Sequence, residues 1–304
     1  MNYAIIGTGA IGGFYGGMLA KSGKEVHFLF HSDYEQALGN GLQVDSVSGD
    51  FCIRPVKAYK STADMPPCDL ILVCLKTINN RLLADMLRPI LKPDSTVVLV
   101  QNGLDIERQA AEVLPASVGV AGGMAFICSN KIGPAHIRHL DYGRLTVGAY
   151  RGGSQALEQL CSDLHAAGVE ALLAPDLHEA RWKKLVWNIP YNGMTVILDS
   201  TTEQLMRQAD SRALIYDIML EVLRGAEADG VHIPTAFADE MMRSTDQMRP
   251  YKPSMRLDFD HHRPMEIEAI YSNPLAAARS HGVDLPKIAV MEQQLKYIQQ
   301  TYLP

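Results

Sequence analysis

Residues 3–12 read YAIIGTGAIG, four apolar residues that run directly into the pattern G-x-G-x-x-G. The apolar residues predict a short buried strand, and residues 10–22 predict a helix that ends at Gly23. Residues 26–30 predict a second strand. A dinucleotide-binding loop must follow a strand and open a helix, so this order makes the motif a specific signal. The predicted cofactor loop consists of Gly7, Thr8, Gly9, Ala10, Ile11 and Gly12.

Each glycine of this loop has a separate physical role in such a site. Gly7 permits the tight turn, Gly9 lets the backbone approach a pyrophosphate, and Gly12 lets the helix lie close to the sheet. The N–H groups and the partial positive charge of the helix N-terminus then bind the phosphates. The alternative is a glycine-rich turn without a ligand, but the flanking pattern favours a bound dinucleotide.

The tip of the second strand distinguishes NAD from NADP. An acidic residue there accepts a hydrogen bond from the ribose 2′-hydroxyl of NAD, whereas a cation accommodates the 2′-phosphate of NADP. Here the tip reads Phe30-His31-Ser32, and Asp33 follows it. His31 and Ser32 can both donate hydrogen bonds to a phosphate, so the sequence favours NADP (NADPH). The alternative, two surface residues that contact no ligand, stays open.

Further apolar segments predict that the first half is a doubly wound parallel sheet. Strands that are buried on both faces of such a sheet are nearly all apolar. This chain has runs of that kind at residues 69–75, 96–100 and 118–121. Two later segments, residues 135–140 and 144–147, flank the sequence Asp-Tyr-Gly and predict an antiparallel hairpin.

The second half is predicted to be helical. Asp176 followed by Glu179 resembles a capping box, and prolines and glycines mark the starts and ends of later helices. These helices are predicted at residues 210–229, 234–248, 264–280 and 286–302. We therefore expect an α/β fold with a Rossmann domain at residues 1–170 and an all-helical domain at residues 171–304.

Three polar residues recur at every fourth position of an otherwise apolar helix. Lys184, Asn188 and Asn192 stay on one face, because four residues advance a helix by about 400°. Buried amides and ammonium groups are costly unless they are paired. We therefore expect this row to face a cleft and to bind a polar ligand, with an ordinary solvated face as the alternative. Pro190 lies within the same segment and predicts a kink or a break.

Two further polar residues are candidates for the same site. Glu266 follows Pro264 at the predicted start of a helix and could pair with Lys184. Ser254 lies at a loop-to-helix junction, where anions bind readily. Each also has an ordinary explanation, because acids are favoured in the first turn of a helix and serine is a common N-cap.

The composition excludes several classes of protein. The 304 residues carry 28 Lys and Arg against 34 Asp and Glu, a net charge of −6, so no nucleic-acid partner is expected. No apolar run approaches the roughly 20 residues that cross a bilayer, and no basic leader precedes an apolar stretch. The five cysteines form no Cys-x-x-Cys pair. We expect reduced thiols, no membrane partner and a cytoplasmic protein.

The residues that most resemble a metal site are Asp258, Asp260, His261 and His262. Adjacent histidines on a helix point about 100° apart and do not share a face, so no metal site is expected.

The predicted helix at residues 210–229 has an apolar face that includes Ile215, Met219 and Val222. Such a face is more typical of a core than of a cofactor site, and a homodimer could use it as well.

Five segments, in this order and spacing, resemble the 2-dehydropantoate 2-reductase family, also called ketopantoate reductases. They are the glycine loop, VCLKT at 73–77, VQNGL at 100–104, WKKLVWN at 182–188, and SMRLD at 254–258 before MEIE at 265–268. The resemblance spans nearly the whole chain. It implies a helical domain like that of 6-phosphogluconate dehydrogenase beside the Rossmann domain. It also implies NADPH-dependent reduction of a small 2-oxo acid, 2-dehydropantoate, to pantoate in pantothenate biosynthesis.

The resemblance implies roles for several residues that would contact the substrate. Lys184 corresponds to the catalytic lysine of the family, which acts as the proton donor. Asn188 and Asn192 correspond to its substrate-binding asparagines, and Ser254 to the serine that receives the substrate carboxylate.

Three more residues correspond to family positions near the cofactor. Asn102 matches a residue close to both nicotinamide and substrate, and Lys76 matches one that lines the cofactor cleft. Glu266 matches the acid near the nicotinamide ribose and the catalytic lysine, where it would hold that lysine charged.

The sequence departs from the family at His31, where well-studied members carry arginine, and at Tyr251, where they carry asparagine. A third family asparagine is replaced near Thr202. These departures bear on the cofactor preference and on the substrate pocket. Two alternatives follow: a reductase of a different 2-oxo acid on the same scaffold, and a non-catalytic NADP-binding sensor. A sensor would not need a lysine and two asparagines directed at a ligand.

Overall fold

The computed structural model describes residues 1–248 and 252–303. The contacts divide the chain into two units. The first comprises Met1–Gln101 and Ile106–Leu177, and the second comprises Asn102–Asp105 and the described residues of His178–Pro304.

A mixed sheet forms the centre of the first unit. Its strands are β1 (Asn2–Ile6), β2 (Glu25–Leu29), β3 (Leu42–Ser46), β4 (Phe51–Ile53), β5 (Lys57–Tyr59), β6 (Cys68–Val73), β7 (Leu91–Leu99), β8 (Gly119–Gly133), β9 (His136–Arg151) and β10 (Ala171–Leu173). The strand order is β4-β3-β9-β8-β7-β6-β1-β2-β5, and β10 pairs with β9. β1 runs parallel to β2 and β6, and β6, β7 and β8 are parallel in turn. The predicted parallel sheet is therefore confirmed.

The helices of the first unit connect and cover these strands. They are α1 (Ala10–Lys21), α2 (Tyr34–Asn40), α3 (Leu83–Leu87), α4 (Ile106–Val113) and α5 (Gln155–Ala166). The central strands carry side chains that are fully buried, such as Ile5, Leu70 and Val98. This explains why the sequence of these strands shows continuous apolar runs rather than alternation.

The hairpin predicted for residues 135–140 and 144–147 is wrong. Both segments belong to the single strand β9, which pairs antiparallel with β8. Within β9, Tyr142 has a φ of 60°, Gly143 has a φ of 128°, and the register with β8 shifts nearby. The sequence Asp-Tyr-Gly therefore forms a bulge, since an extra residue in the left-handed region bends a strand without ending it.

The second unit is helical. Its elements are α6 (Leu177–Ile197), α7 (Thr202–Arg207), α8 (Ala209–Ala228), α9 (Ala236–Gln247), α10 (Ser254–Asp260), a π-helical turn (Glu268–Ser272), α11 (Asn273–Ser280) and α12 (Pro286–Gln300). The sequence did not indicate α7, although Thr201 and Gln204 form a capping box at its start. Residues 264–280 do not form the single helix that the sequence predicts, because helical structure begins after Glu266 and passes through the π-helical turn.

Two other expectations concern the helices. The sequence predicts a kink or a break at Pro190, and α6 does not break there but continues over 21 residues. Ile215, Met219 and Val222 are fully buried in the core of the second unit. They are core residues as predicted, and their burial leaves them no surface for a dimer contact.

The short segment Asn102–Asp105 packs with the second unit although most of its sequence neighbours belong to the first. The N–H of Leu104 donates to the carbonyl of Ala269 over 2.9 Å, and the Asn273 amide donates to the carbonyl of Leu104 over 2.8 Å. Gly103 has a φ of +113°, and a Cβ there would lie 2.5 Å from Cβ of Ala269. Only glycine fits this close approach.

The change between the two units falls after Leu177, whereas the sequence placed it after residue 170. The reason is that β10 adds to β9 and so extends the first unit. Across residues 1–248 and 252–303, no helix is long and apolar enough to span a membrane.

The cysteines are free thiols, as the sequence predicts. Burial raises the pKa of the Cys74 thiol, which lies beside the glycine loop, to about 12.

Gly12→Ala is expected to destabilise the first unit. A Cβ at this position would overlap the carbonyl oxygen of Gly7 and lie 2.8 Å from Cγ2 of Ile5. Overpacking of this kind costs about 1–3 kcal/mol, which urea unfolding followed by circular dichroism would detect. Gly153→Ala is the control, because a Cβ there meets no heavy atom within 4 Å. Equal losses of unfolding free energy in the two variants would contradict the packing explanation.

Candidate active site

The glycine loop connects β1 to α1 in the geometry that its sequence predicts. Gly7 has a φ of +98°, and a Cβ there would lie 2.8 Å from Cδ2 of Leu75, so this position requires glycine. The Thr8 hydroxyl donates to the carbonyl of Leu29 over 2.9 Å and ties the loop to the end of β2. Gly12 allows α1 to approach the loop backbone, since a Cβ would overlap the Gly7 carbonyl.

Gly9 is the N-cap of α1, and the space beside it fits a phosphate group. A Cβ built on Gly9 meets no heavy atom within 4 Å. In the described chain, no side chain caps this helix end, and its first turn carries no acidic residue. Backbone N–H groups at such an end favour an anion. Gly7, Thr8, Gly9, Ala10, Ile11 and Gly12 therefore fit the pyrophosphate of a dinucleotide.

The tip of β2 presents two exposed side chains and one buried carboxylate. His31 and Ser32 are exposed, whereas Asp33 is only 6% exposed. The N–H of Ala135 donates to Asp33 Oδ2 over 2.9 Å, the Ser32 hydroxyl donates to Oδ1 over 2.9 Å, and Nζ of Lys131 lies 2.5 Å from Oδ2. Burial alone would raise the pKa of this carboxyl, but these three partners together lower it below its ordinary value.

Lys76 lies in the loop that follows β6, beside the glycine loop in the sheet. The side chain is half-buried. The loop is fixed by Gln101, whose amide donates to the carbonyl of Leu75 over 2.8 Å and to Oδ1 of Asn80 over 2.7 Å. Lys76 thus follows β6, which is parallel to β1 and lies next to it. Both strands end at the edge of the sheet where ligands bind in folds of this type.

Two of the three residues in the polar row of α6 are buried in the second unit, so the row is not an ordinary solvated face. Asn188 is 3% exposed and Asn192 is 1% exposed, while Lys184 is half-buried. The Asn188 amide donates to Oδ1 of Asn102 over 3.4 Å. The structure therefore brings together two asparagines that the sequence separates, because Asn102–Asp105 packs beside the π-helical turn.

Asn192 connects the row to the first turn of α10. Its Oδ1 accepts the N–H of Met255 over 3.2 Å, next to Ser254 at the start of this helix. The Arg256 guanidinium, which is 8% exposed, donates to the carbonyl of Thr195 over 2.7 Å. Two polar contacts thus fix Ser254 beside α6.

The contacts of Asn192 and Arg256 were not anticipated from the sequence. Arg256 also binds Asp199 and Asp260. In the sequence, Arg256 and Asp260 have the spacing of a helical ion pair, and such pairs usually lie on an exposed face. The spacing therefore did not indicate that Arg256 is buried.

Glu266 lies just before the helical residues that start at Ile267 and is 6% exposed. It therefore precedes the first helical turn instead of lying within it, and its side chain is buried. Its carbonyl accepts the N–H of Ile270 over 3.1 Å, which holds the segment in place.

The four residues considered for a metal have other partners. Asp258 binds Arg263 at 3.0 Å, Asp260 binds Arg256 at 2.7 Å, and Nδ1 of His261 lies 2.7 Å from the carbonyl of Leu257. The ring of His262 packs near Tyr302, with 5.3 Å between the ring centroids. Within the described ranges, no group of three or more His, Cys, Asp or Glu residues could hold a metal ion. Tyr251, at which the sequence departs from the ketopantoate reductases, lies outside the described residues.

Comparison with known proteins connects both units to one family. Residues 3–152 match the family described as ketopantoate reductase PanE/ApbA, and residues 176–299 match its C-terminal domain. The chain is 47% identical over 302 residues to a 2-dehydropantoate 2-reductase from Nostoc sp., covering 97% of this chain and 94% of that protein.

Solved structures give the same relationship. The crystal structure of 2-dehydropantoate 2-reductase from Geobacter metallireducens matches with a TM-score of 0.94 and 39% identity, covering 98% of this chain and 99% of that one. The corresponding protein from Methylococcus capsulatus matches with a TM-score of 0.91 and 33% identity, covering 100% and 98%. These matches span both units, and the chain belongs to the ketopantoate reductase family.

Proposed function

We propose that this protein is an NADPH-dependent oxidoreductase that reduces 2-dehydropantoate to pantoate, the reaction that supplies pantothenate biosynthesis. The observation that carries the proposal is the row of Lys184, Asn188 and Asn192 on a buried helix of a ketopantoate reductase chain. The identity of 47% to a 2-dehydropantoate 2-reductase over nearly the whole chain supports the same reading.

The loop of residues 7–12 would hold NADPH, which when bound would supply a hydride to C2 of the 2-oxo acid, with the carbonyl π electrons moving to the C2 oxygen. The C2 oxygen then develops negative charge and needs a proton. The ammonium of Lys184 stabilises this charge and donates the proton to the oxygen, so that a hydroxyl forms. The lysine regains its proton from solvent after the product leaves.

The other residues bind and orient the substrate or support the lysine. Asn188, connected to Asn102, offers amide donors and acceptors to the polar groups of the 2-oxo acid. Ser254, at the N-terminus of α10, receives the carboxylate. The carboxylate of Glu266 keeps Lys184 in its charged form. The resemblance supports each of these roles, and the burial of Asn188 and Glu266 is consistent with them.

The alternative with the most support is a reductase of a different 2-oxo acid on the same scaffold. It is favoured by Tyr251, which stands where well-studied family members carry asparagine. A non-catalytic sensor is less consistent with the structure, because it would not need Lys184, Asn188 and Asn192 on a largely buried face. A homodimer and a cytoplasmic location stay predictions from the sequence.

Turnover with ketopantoate and NADPH tests the proposal most simply. We expect the absorbance of the reduced nicotinamide to fall as NADPH is consumed, with ketopantoate preferred over a panel of other 2-oxo acids. Preference for another acid would favour the alternative substrate. No turnover with any acid and either NADPH or NADH would contradict an enzymatic role.

Lys184→Ala is expected to lower kcat by about 10²- to 10⁴-fold, the usual contribution of a positioned acid. Binding of NADPH should persist, which isothermal titration calorimetry would measure. Lys183→Ala is the matched control, because the neighbouring ammonium lies 2.5 Å from Glu179 in a half-exposed ion pair. Near-normal turnover of the Lys184 variant, or an equal loss in the control, would exclude the assigned role.

Asn192→Ala is expected to raise KM for the 2-oxo acid while the Kd of NADPH stays constant. The substitution leaves the N–H of Met255 without its acceptor and should also cost about 1–3 kcal/mol of stability. Thr201→Ala is the control, since it removes a similar contact to the N–H of Gln204 at a helix N-cap. If both variants lose stability and neither changes KM, Asn192 has only a structural role.

A further inference from the structure

We propose that Lys131 determines the preference for the phosphorylated dinucleotide, by neutralising Asp33 and by offering its ammonium to the 2′-phosphate. This inference rests on the proposed use of NADPH. It concerns a residue of β8, far along the chain from the glycine loop and from the tip of β2.

Asp33 stands where a carboxylate would normally favour NAD. It directly follows the tip of the second strand, from which an acidic side chain can accept the ribose 2′-hydroxyl. Here both carboxylate oxygens are already engaged, Oδ1 by Ser32 and Oδ2 by Ala135 and Lys131. Asp33 is also only 6% exposed, so it is poorly placed to receive a ribose hydroxyl.

The course of β8 places Lys131 beside Asp33, on the same face of the strand as Ser129. The hydroxyl of Ser129 donates to the carbonyl of Ala10 in the glycine loop over 3.3 Å. Residues two apart on a strand point to the same face, and β8 pairs regularly with β9 from Ser129 to Lys131. Ser129 therefore contacts the glycine loop. Lys131, on the same face of β8, lies at the tip of β2, where its ammonium is 2.5 Å from Asp33.

The charges at this tip explain why Lys131 matters. An unpaired Asp33 would repel a 2′-phosphate, whereas its pair with Lys131 carries no net charge. The side chain of Lys131 is 39% exposed, so its ammonium can contact a ligand without leaving the carboxylate. The exposed imidazole of His31 lies in the same tip, whereas the Ser32 hydroxyl already donates to Asp33. Lys131 is thus the lysine of this tip that can pair with a phosphate.

Calorimetric titration of the protein with 2′,5′-ADP and with AMP tests the inference without any turnover. The two probes differ only in the 2′-phosphate. For Lys131→Met, we expect the Kd of 2′,5′-ADP to rise about 10- to 100-fold, the usual strength of a charged hydrogen bond, and the Kd of AMP to change less than about twofold. Lys131→Arg should retain most of the preference, because it keeps the charge.

Lys57→Met is the matched control. Lys57 also lies 2.5 Å from a carboxylate of β2, but its partner Glu25 is at the opposite end of that strand. The control makes the same change in net charge and should leave both Kd values unchanged. Asp33→Asn in the Lys131→Met background should recover part of the 2′,5′-ADP affinity, because it removes the repulsion. Circular dichroism checks that each variant is folded.

Equal weakening of both probes in Lys131→Met would mean that Lys131 only supports the structure and would overturn the inference. No change in either probe, or a wild-type protein that does not distinguish the probes, would overturn it as well. The proposed function fails separately, if the wild-type protein does not reduce ketopantoate with NADPH. The binding result is independent of that outcome, since neither probe undergoes reduction.

Discussion

The second unit depends on one constraint: a helix that packs in a core cannot leave its polar side chains without partners. α6 places Asn188 and Asn192 in positions that are at most 3% exposed. Each unpaired amide there would cost about 1–3 kcal/mol, so the surrounding elements must supply contacts. Asn102 and the first turn of α10 do so. The same requirement that stabilises the unit therefore brings the candidate substrate-binding residues together.

In the first unit, the candidate site depends on closely packed glycine backbone rather than on paired polar side chains. Gly7 and Gly12 allow the strand, the loop and α1 to approach more closely than any Cβ permits. This close packing exposes the N–H groups of a helix end to an anion. Near the loop, β8 brings the ammonium of Lys131 within 2.5 Å of Asp33 at the tip of β2. The selectivity of such a site is set by side chains at strand ends, which vary without disturbing the sheet.

The parts of the fold and of the candidate site that depend on a local sequence pattern could be predicted from the sequence. The glycine loop, the apolar strands and the polar row of α6 each follow from spacing within one element. The contacts of Asn192 with Met255 and of Lys131 with Asp33 join residues that are distant in the chain, so no local period reveals them. The mistaken hairpin has a related cause. Asp-Tyr-Gly has the composition of a turn, but pairing with β8 makes it a bulge inside β9. Likewise, α6 continues through Pro190, although proline removes one backbone N–H from the helix.

A crystal structure of the protein with NADP⁺ and pantoate would test the central claim most directly. We expect Nζ of Lys184 to lie about 3 Å from the C2 hydroxyl oxygen of the product, within hydrogen-bond distance. Asn188 and Ser254 should contact the same molecule. If another side chain binds the C2 hydroxyl, and Lys184 does not contact the product, then Lys184 is not the proton donor.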